Sequence, residues 1–227
     1  MPKMTDTAES TACRQFKEFI GDADFPCVGA KSALARDALT VFEASEFDSA
    51  ARDVDLYRAL RAFGAELDHD SPIVQSFVAV FSGPGDLDEK AFEKTLWTRL
   101  QCLHNLDVID GTPWNEAVDH DPDSPHFSLS LGGEPYFVIG LHPNASRPAR
   151  RFAHPALVFN SHMQFEKLRA DGRYDKMKEI IRKRDAELAG DINPMLTDFG
   201  EASEARQYSG RAVGENWTCP FAHAEVA

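Results

Sequence analysis

Phe127-Ser128-Leu129-Ser130-Leu131-Gly132-Gly133-Glu134-Pro135-Tyr136-Phe137-Val138-Ile139-Gly140-Leu141 is the stretch on which the fold turns. Apolar and polar residues alternate from Phe127 to Leu131, the period of a strand with one buried face. Gly132-Gly133 then supplies the positive φ that a two-residue hairpin turn requires. Tyr136 to Leu141 is almost wholly apolar and reads as the return strand. Strands joined this tightly are antiparallel. Outward from the hairpin, Val74 to Phe81 is a β-branched and aromatic run stopped by Ser82-Gly83-Pro84-Gly85, and Ala156 to Phe159 is a further strand.

Helical spacing occupies the rest. Phe16, Phe19 and Ile20 share a face over 13–20, and an alanine-rich helix follows Ala30. Leu56, Leu60 and Phe63 mark a helix over 48–64, and Phe92, Leu96, Leu100 and Leu103 one over 88–106 with Asp86 as candidate cap. Ser161 with Gln164 forms a capping-box pattern, and a charged helix over 174–188 ends at Gly190. The last forty or so residues are mostly irregular. Strands adjacent in the middle with helices at both ends predict an α+β fold: one domain over 13–227, a central, mainly antiparallel sheet flanked by helices, and a disordered tail over 1–12.

With 227 residues and 43% hydrophobic content, the chain can bury the core of one large domain. Its net charge of -13 argues against a nucleic-acid partner, which needs a basic surface, and would steer a cationic ligand inward. No apolar run is long enough to span a bilayer, so no membrane partner is expected. The N-terminal ten residues carry no apolar signal core, so the cytoplasm is the expected compartment. Cys13, Cys27, Cys102 and Cys219 are scattered, without the paired spacing of a structural zinc site or the CxxCH of covalent heme. Nucleotide-binding glycine loops, HExxH and GxSxG are absent.

The chemistry-bearing residues gather just after the hairpin. His142 leaves the end of a strand, and Arg147, Arg150 and Arg151 follow within nine residues; arginine forks suit carboxylates and phosphates. The same pattern also fits a surface loop of salt bridges. His162 opens a helix, where the dipole favours the neutral, metal-binding ring. Cys27 precedes a helix whose N-terminus would lower its pKa. Cys219 is a second thiol to weigh. The polar stretches 192–196 and 203–211 read as exposed loop or as the cover of a pocket.

Taken together, FPCVGAKSA (25–33), residues 127–152, HPALVFNSHMQFEKLR (154–169), GDINPMLTDFGEASEARQYSGR (190–211) and WTCPF (217–221) resemble the YqcI/YcgG family over nearly the whole chain. Ser161 stands where that resemblance leads one to expect a proline. The resemblance implies a heme b-dependent monooxygenase that uses O2 and an external reductant to N-hydroxylate a guanidine or amine nitrogen of arginine or a related small molecule. It implies a cationic substrate and an electron donor as partners, with a homodimer left open. It offers His142 as iron ligand, with His162 and Cys27 as alternatives. Arg147, Arg150 and Arg151 would hold the propionates, and Glu204 and Glu166 would face a guanidinium. A non-catalytic heme-binding or sensing protein and a cysteine-nucleophile enzyme are the competing readings.

Overall fold

A computed structural model describes residues 10–226. The expected tail falls mostly on residues outside that range. Ser10 accepts a hydrogen bond from the Cys13 amide at 3.2 Å and caps α1 (Thr11–Gly21), so Thr11 and Ala12 are already helical. α2 (Val28–Ala35), β1 (Leu39–Glu43), α3 (Asp53–Ala65), β2 (Ser76–Val80) and α4 (Glu89–Ile109) follow. Then come the hairpin β3 (Leu129–Leu131) and β4 (Glu134–Leu141), β5 (Ala156–Ser161), α5 (His162–Ala170), α6 (Tyr174–Ala189) and the short α7 (Ala205–Tyr208).

The sheet runs β1-β2-β5-β4-β3, antiparallel throughout except for β1, which pairs parallel with β2. This is the expected α+β domain, with one strand more than the sequence reading placed. The hairpin turn is the one read from Gly132-Gly133, whose φ values are +64° and +79°. Two boundaries differ. The helix expected from residue 48 starts at Asp53, because 47–52 are spent in turns and Asp53 is pinned by a buried 2.6 Å ion pair to Arg99 of α4. The cap of α4 is Asp88, which accepts from the Ala91 amide at 2.7 Å, rather than Asp86.

The alternation of side chains along each strand divides the core into two layers. Phe77, Ala79, Tyr136, Val138, Leu157 and Phe159 point to one face and meet Leu56 and Leu60 of α3 and Phe92, Leu96 and Leu100 of α4. Gly140 lies on this face because α4 crosses it closely: a Cβ there would sit 2.7 Å from Phe92 and 2.8 Å from Leu96. The other face meets α1 through Phe16 and Ile20 near Val78, Val80, Leu141 and Ala156. Beyond that contact it opens into a cavity.

Candidate active-site cavity

The cavity has a volume of 310 Å³. Its floor is the second sheet face: Leu39 of β1, Ser76 of β2, Phe137 and Ile139 of β4, and Val158 and Asn160 of β5. The floor is apolar apart from Ser76 and Asn160, which are paired: the Ser76 hydroxyl donates to the Asn160 side-chain carbonyl at 2.7 Å. The roof is α6. Tyr174, Met177, Lys178, Ile181, Arg182 and Asp185 all line the cavity, a stripe at i, i+3, i+4, i+7, i+8 and i+11. The segment 193–199 and α7 close one end, so the polar stretches after residue 190 cover a pocket rather than lie free.

Of the residues singled out in the sequence, His162, Cys27, Arg147, Arg150 and Glu204 line this cavity, and His142, Arg151, Glu166 and Cys219 do not. The alternation that places Asn160 in the floor brings His162 back to the same side as the first residue of α5. Its ring is 4% exposed, lies 4.3 Å from the Phe199 ring, and has Glu166 at 3.5 Å from Nε2. Burial lowers its pKa to about 4, with the Glu166 charge opposing, so the ring is neutral near pH 7.

The same alternation sends His142 away. It shares a side with Gly140, and its ring stacks on Phe92 at 4.2 Å, 1% exposed. A group bound in the cavity would not meet it. His142 reads instead as a core histidine, its backbone amide held by the Arg150 carbonyl at 3.1 Å.

The three arginines have three different roles. Arg151 donates to the carbonyls of Ala145 and Ser146, both at 2.7 Å, and staples its own loop. Arg147 bridges Asp185 of α6 and Asp191. Arg150 donates to the carbonyls of Gly140 at 3.1 Å, Tyr208 at 3.0 Å and Gln207 at 3.0 Å, and among the described residues bonds no carboxylate, although the Asp185 charge acts on it. Burial lowers its pKa to about 10, which still leaves it a cation at neutral pH. Arg169, Lys178 and Arg182 also line the wall; Lys178 and Arg182 share Asp198, and Arg169 pairs with Glu166 at the rim. The cations of the wall therefore outnumber its carboxylates, although the whole chain is acidic.

Glu204 is 4% exposed, and its carboxylate oxygen lies 2.6 Å from the Tyr208 hydroxyl. Burial raises its pKa to about 8, with the hydrogen bond from Tyr208 opposing. The thiols are shifted against nucleophilic use. Cys27 caps α2, accepting from the Ala30 amide at 3.4 Å, yet desolvation raises its pKa above the ordinary value, so the lowering expected from the helix N-terminus is overridden. Burial raises Cys219 to about 12. The α6 stripe and the Ser76–Asn160 pair were not singled out in the sequence, and Tyr208 only as part of the polar stretch 203–211; the spacing of Tyr174, Met177 and Ile181 was the one further readable sign.

These features now meet the relatives. The YqcI/YcgG family model matches residues 16–222, and the chain belongs to this family. Two Bacillus subtilis (strain 168) proteins, YcgG and YqcI, are 28% and 29% identical to it, covering 89% and 90% of this chain and 83% and 84% of their own lengths. Streptomyces lavendulae DcsA, provisionally named an N(omega)-hydroxy-L-arginine synthase, is 31% identical over 88% of this chain and 78% of its own. No solved structure matches the chain. Among the described residues no helix is long and apolar enough to cross a membrane.

Proposed function

We propose that the protein is a heme-dependent monooxygenase that N-hydroxylates a guanidine or amine nitrogen of arginine or a related small molecule. The observation that carries the reading is the make-up of the cavity. An apolar sheet face lies beneath it, and a neutral histidine opens into it. Its wall holds a half-buried arginine, Arg150, that among the described residues bonds three backbone carbonyls and no carboxylate. A partly desolvated guanidinium that bonds no carboxylate, with the Asp185 charge near it but committed to Arg147, favours an anion in the space beside it. A flat apolar ligand carrying two carboxylates matches both requirements, and heme b is such a ligand. Kinship to DcsA supplies the reaction class.

The residues divide as follows. His162 would hold the iron through its neutral ring, with Cys27 as the alternative in the same wall. Arg150 would take a propionate, and Arg147 would stay with Asp185. The cofactor, when bound, supplies O2 activation with electrons from an external reductant. The chain's own contribution is orientation and the exclusion of water by α6 and segment 193–199. A cysteine-nucleophile enzyme is disfavoured by both raised thiols.

The test is direct. Protein expressed with heme precursor should show a Soret band, release its pigment to acid-acetone, and convert L-arginine or a related guanidine to a hydroxylated product when supplied with reductant. The ferrous–CO spectrum should be of the histidine type and change in His162→Ala but not in His142→Ala. A colourless protein overturns the reading. Pigment with no product from any guanidine or amine favours the sensing alternative.

A further inference from the structure

The cavity holds one acid that no cation pairs. Glu204 sits just before α7, and among the described residues no salt bridge reaches it. Its neighbour Tyr208 allows its protons to be counted. The Tyr208 hydroxyl accepts from the Leu129 amide at 3.2 Å. It has a single proton, yet two acceptors lie in reach: the Glu204 carboxyl at 2.6 Å and the Tyr136 carbonyl at 3.0 Å. A neutral Glu204 resolves the count. It donates to the Tyr208 oxygen and Tyr208 donates to the Tyr136 carbonyl, which satisfies all three, with the buried Ser128 hydroxyl beside both side chains. An ionised Glu204 would take the phenol proton and leave the buried carbonyl short. Desolvation favours the neutral form as well.

A neutral acid in a cavity wall can trade its proton for another cation at no change in local charge. We propose that Glu204 is a proton-exchanging site for one cationic nitrogen, a guanidinium or an ammonium. On binding, the carboxyl O–H breaks, its proton leaves to water, and the carboxylate pairs with the incoming cation. The ligand keeps its own protons, so one positive charge enters and one leaves. This inference rests on the function proposed above for the kind of cation, and on the geometry alone for the site. It also separates the two acids drawn from the sequence: Glu166 is tied to Arg169 at the rim, and Glu204 is the one that is free to exchange. The charged and titratable groups facing Glu204 are Arg169 from α5 and Tyr208 from α7; Tyr208 is held well above its ordinary pKa.

The experiment is a calorimetric titration of the purified, pigment-bearing protein with L-arginine, and with guanidinium chloride as a second probe, in two buffers of different ionisation enthalpy. Close to one proton should be released per cation bound at pH 7, and affinity should rise about tenfold per pH unit until it levels above about pH 8. Difference infrared spectra should show the loss of a neutral carboxyl carbonyl band on binding. Glu204→Gln keeps the bond to Tyr208, and should bind more weakly at high pH with no proton release and no band change. Glu204→Asp, a second carboxyl in nearly the same place, should retain the release. Binding without proton release in the parent, equal release in Glu204→Gln, or no cation binding at all overturns the inference. Recording the Soret band on the same samples separates the two ideas. Pigment without proton-linked binding sinks this site alone, whereas a colourless protein that releases a proton per cation sinks the heme reading and leaves the site standing.

Discussion

The two faces of the one sheet are built to different rules. On the face toward α3 and α4, aromatic rings fill every gap: Phe77, Phe159 and Tyr136 are fully buried, and Gly140 is small because Phe92 and Leu96 occupy the space of its Cβ. On the other face the same strands present Ile139, Val158, Ser76 and Asn160 to a cavity roofed by a charged helix. Neighbouring residues in β5 thus have opposite duties: Phe159 holds the domain together and Val158 leaves room for a ligand. The difference teaches that close packing is concentrated on one side and open volume on the other, with the strand period as the partition.

The largest effect that would break this comparison is a failure of asymmetry in stability. Phe159→Ala should cost about 3–5 kcal/mol, as for large core aromatics, whereas Val158→Ala next to it should cost under about 1.5 kcal/mol. Urea unfolding of both variants checks this. Equal losses would mean that the cavity face is closed in solution.

Arg150→Met comes next. It removes the side-chain donor to the carbonyls of Gly140 and Tyr208 and one of the donors to that of Gln207, which keeps the Gly210 amide at 3.2 Å, so a loss of about 1–3 kcal/mol is expected. The same variant should lose pigment more readily than Arg151→Ala, whose bonds stay within its own loop. Equal pigment retention in both returns Arg150 to a purely structural role.

Much of this was legible in the sequence because hydrophobic period and turn chemistry are local. The Gly-Gly hairpin, the Ser161 cap and Gly190 at the end of α6 all appear where they were read. The α6 exit has φ +86° at Gly190, which glycine adopts freely. β1 was missed, since five residues following an alanine-rich helix carry too short a pattern to stand alone. Its strand identity comes from pairing with Ser76 to Val80, more than thirty residues away. The site was half legible. Of the residues singled out by type, His162, Cys27, Arg147, Arg150 and Glu204 line the cavity. His142, preferred over His162 as iron ligand from the sequence, lies on the opposite sheet face from the cavity, because the face each residue takes as its strand ends is set by pairing rather than by residue type. That Arg150 bonds backbone carbonyls rather than a carboxylate depends on partners distant in sequence.

A smaller effect lies in pH. Glu204 has its folded pKa raised to about 8, above the ordinary unfolded value near ~4.3. The native state therefore binds the extra proton between these values, and stability falls as pH rises through that window. Replacing it by Gln removes that slope. The stability of Glu204→Gln relative to the parent should be constant below about pH 4, grow by about 1 kcal/mol per pH unit at most, and level off above about pH 8. His162 works in the opposite sense. Its folded pKa of about 4 lies below the unfolded one, so its contribution is lost as pH falls from about 6.5 toward 4. Denaturant midpoints across pH for Glu204→Gln, His162→Ala and the parent separate the two.

The smallest effect tests the roof. Of the sixteen residues of α6, Asp185 is the buried one, and the helix is tied down chiefly through charge: Arg147 to Asp185, and Lys178 and Arg182 to Asp198. Pairs as exposed as those of Asp198 are worth roughly 0–1 kcal/mol, and salt screens them. Asp198→Asn should therefore barely move the global unfolding midpoint. Its effect should be local. Amide exchange in α6 should quicken while α4, on the filled face, keeps its protection, and added salt should reproduce part of the effect in the parent. If α6 and α4 lose protection together, the roof is part of the cooperative core, and the contrast between the two faces does not extend to their dynamics.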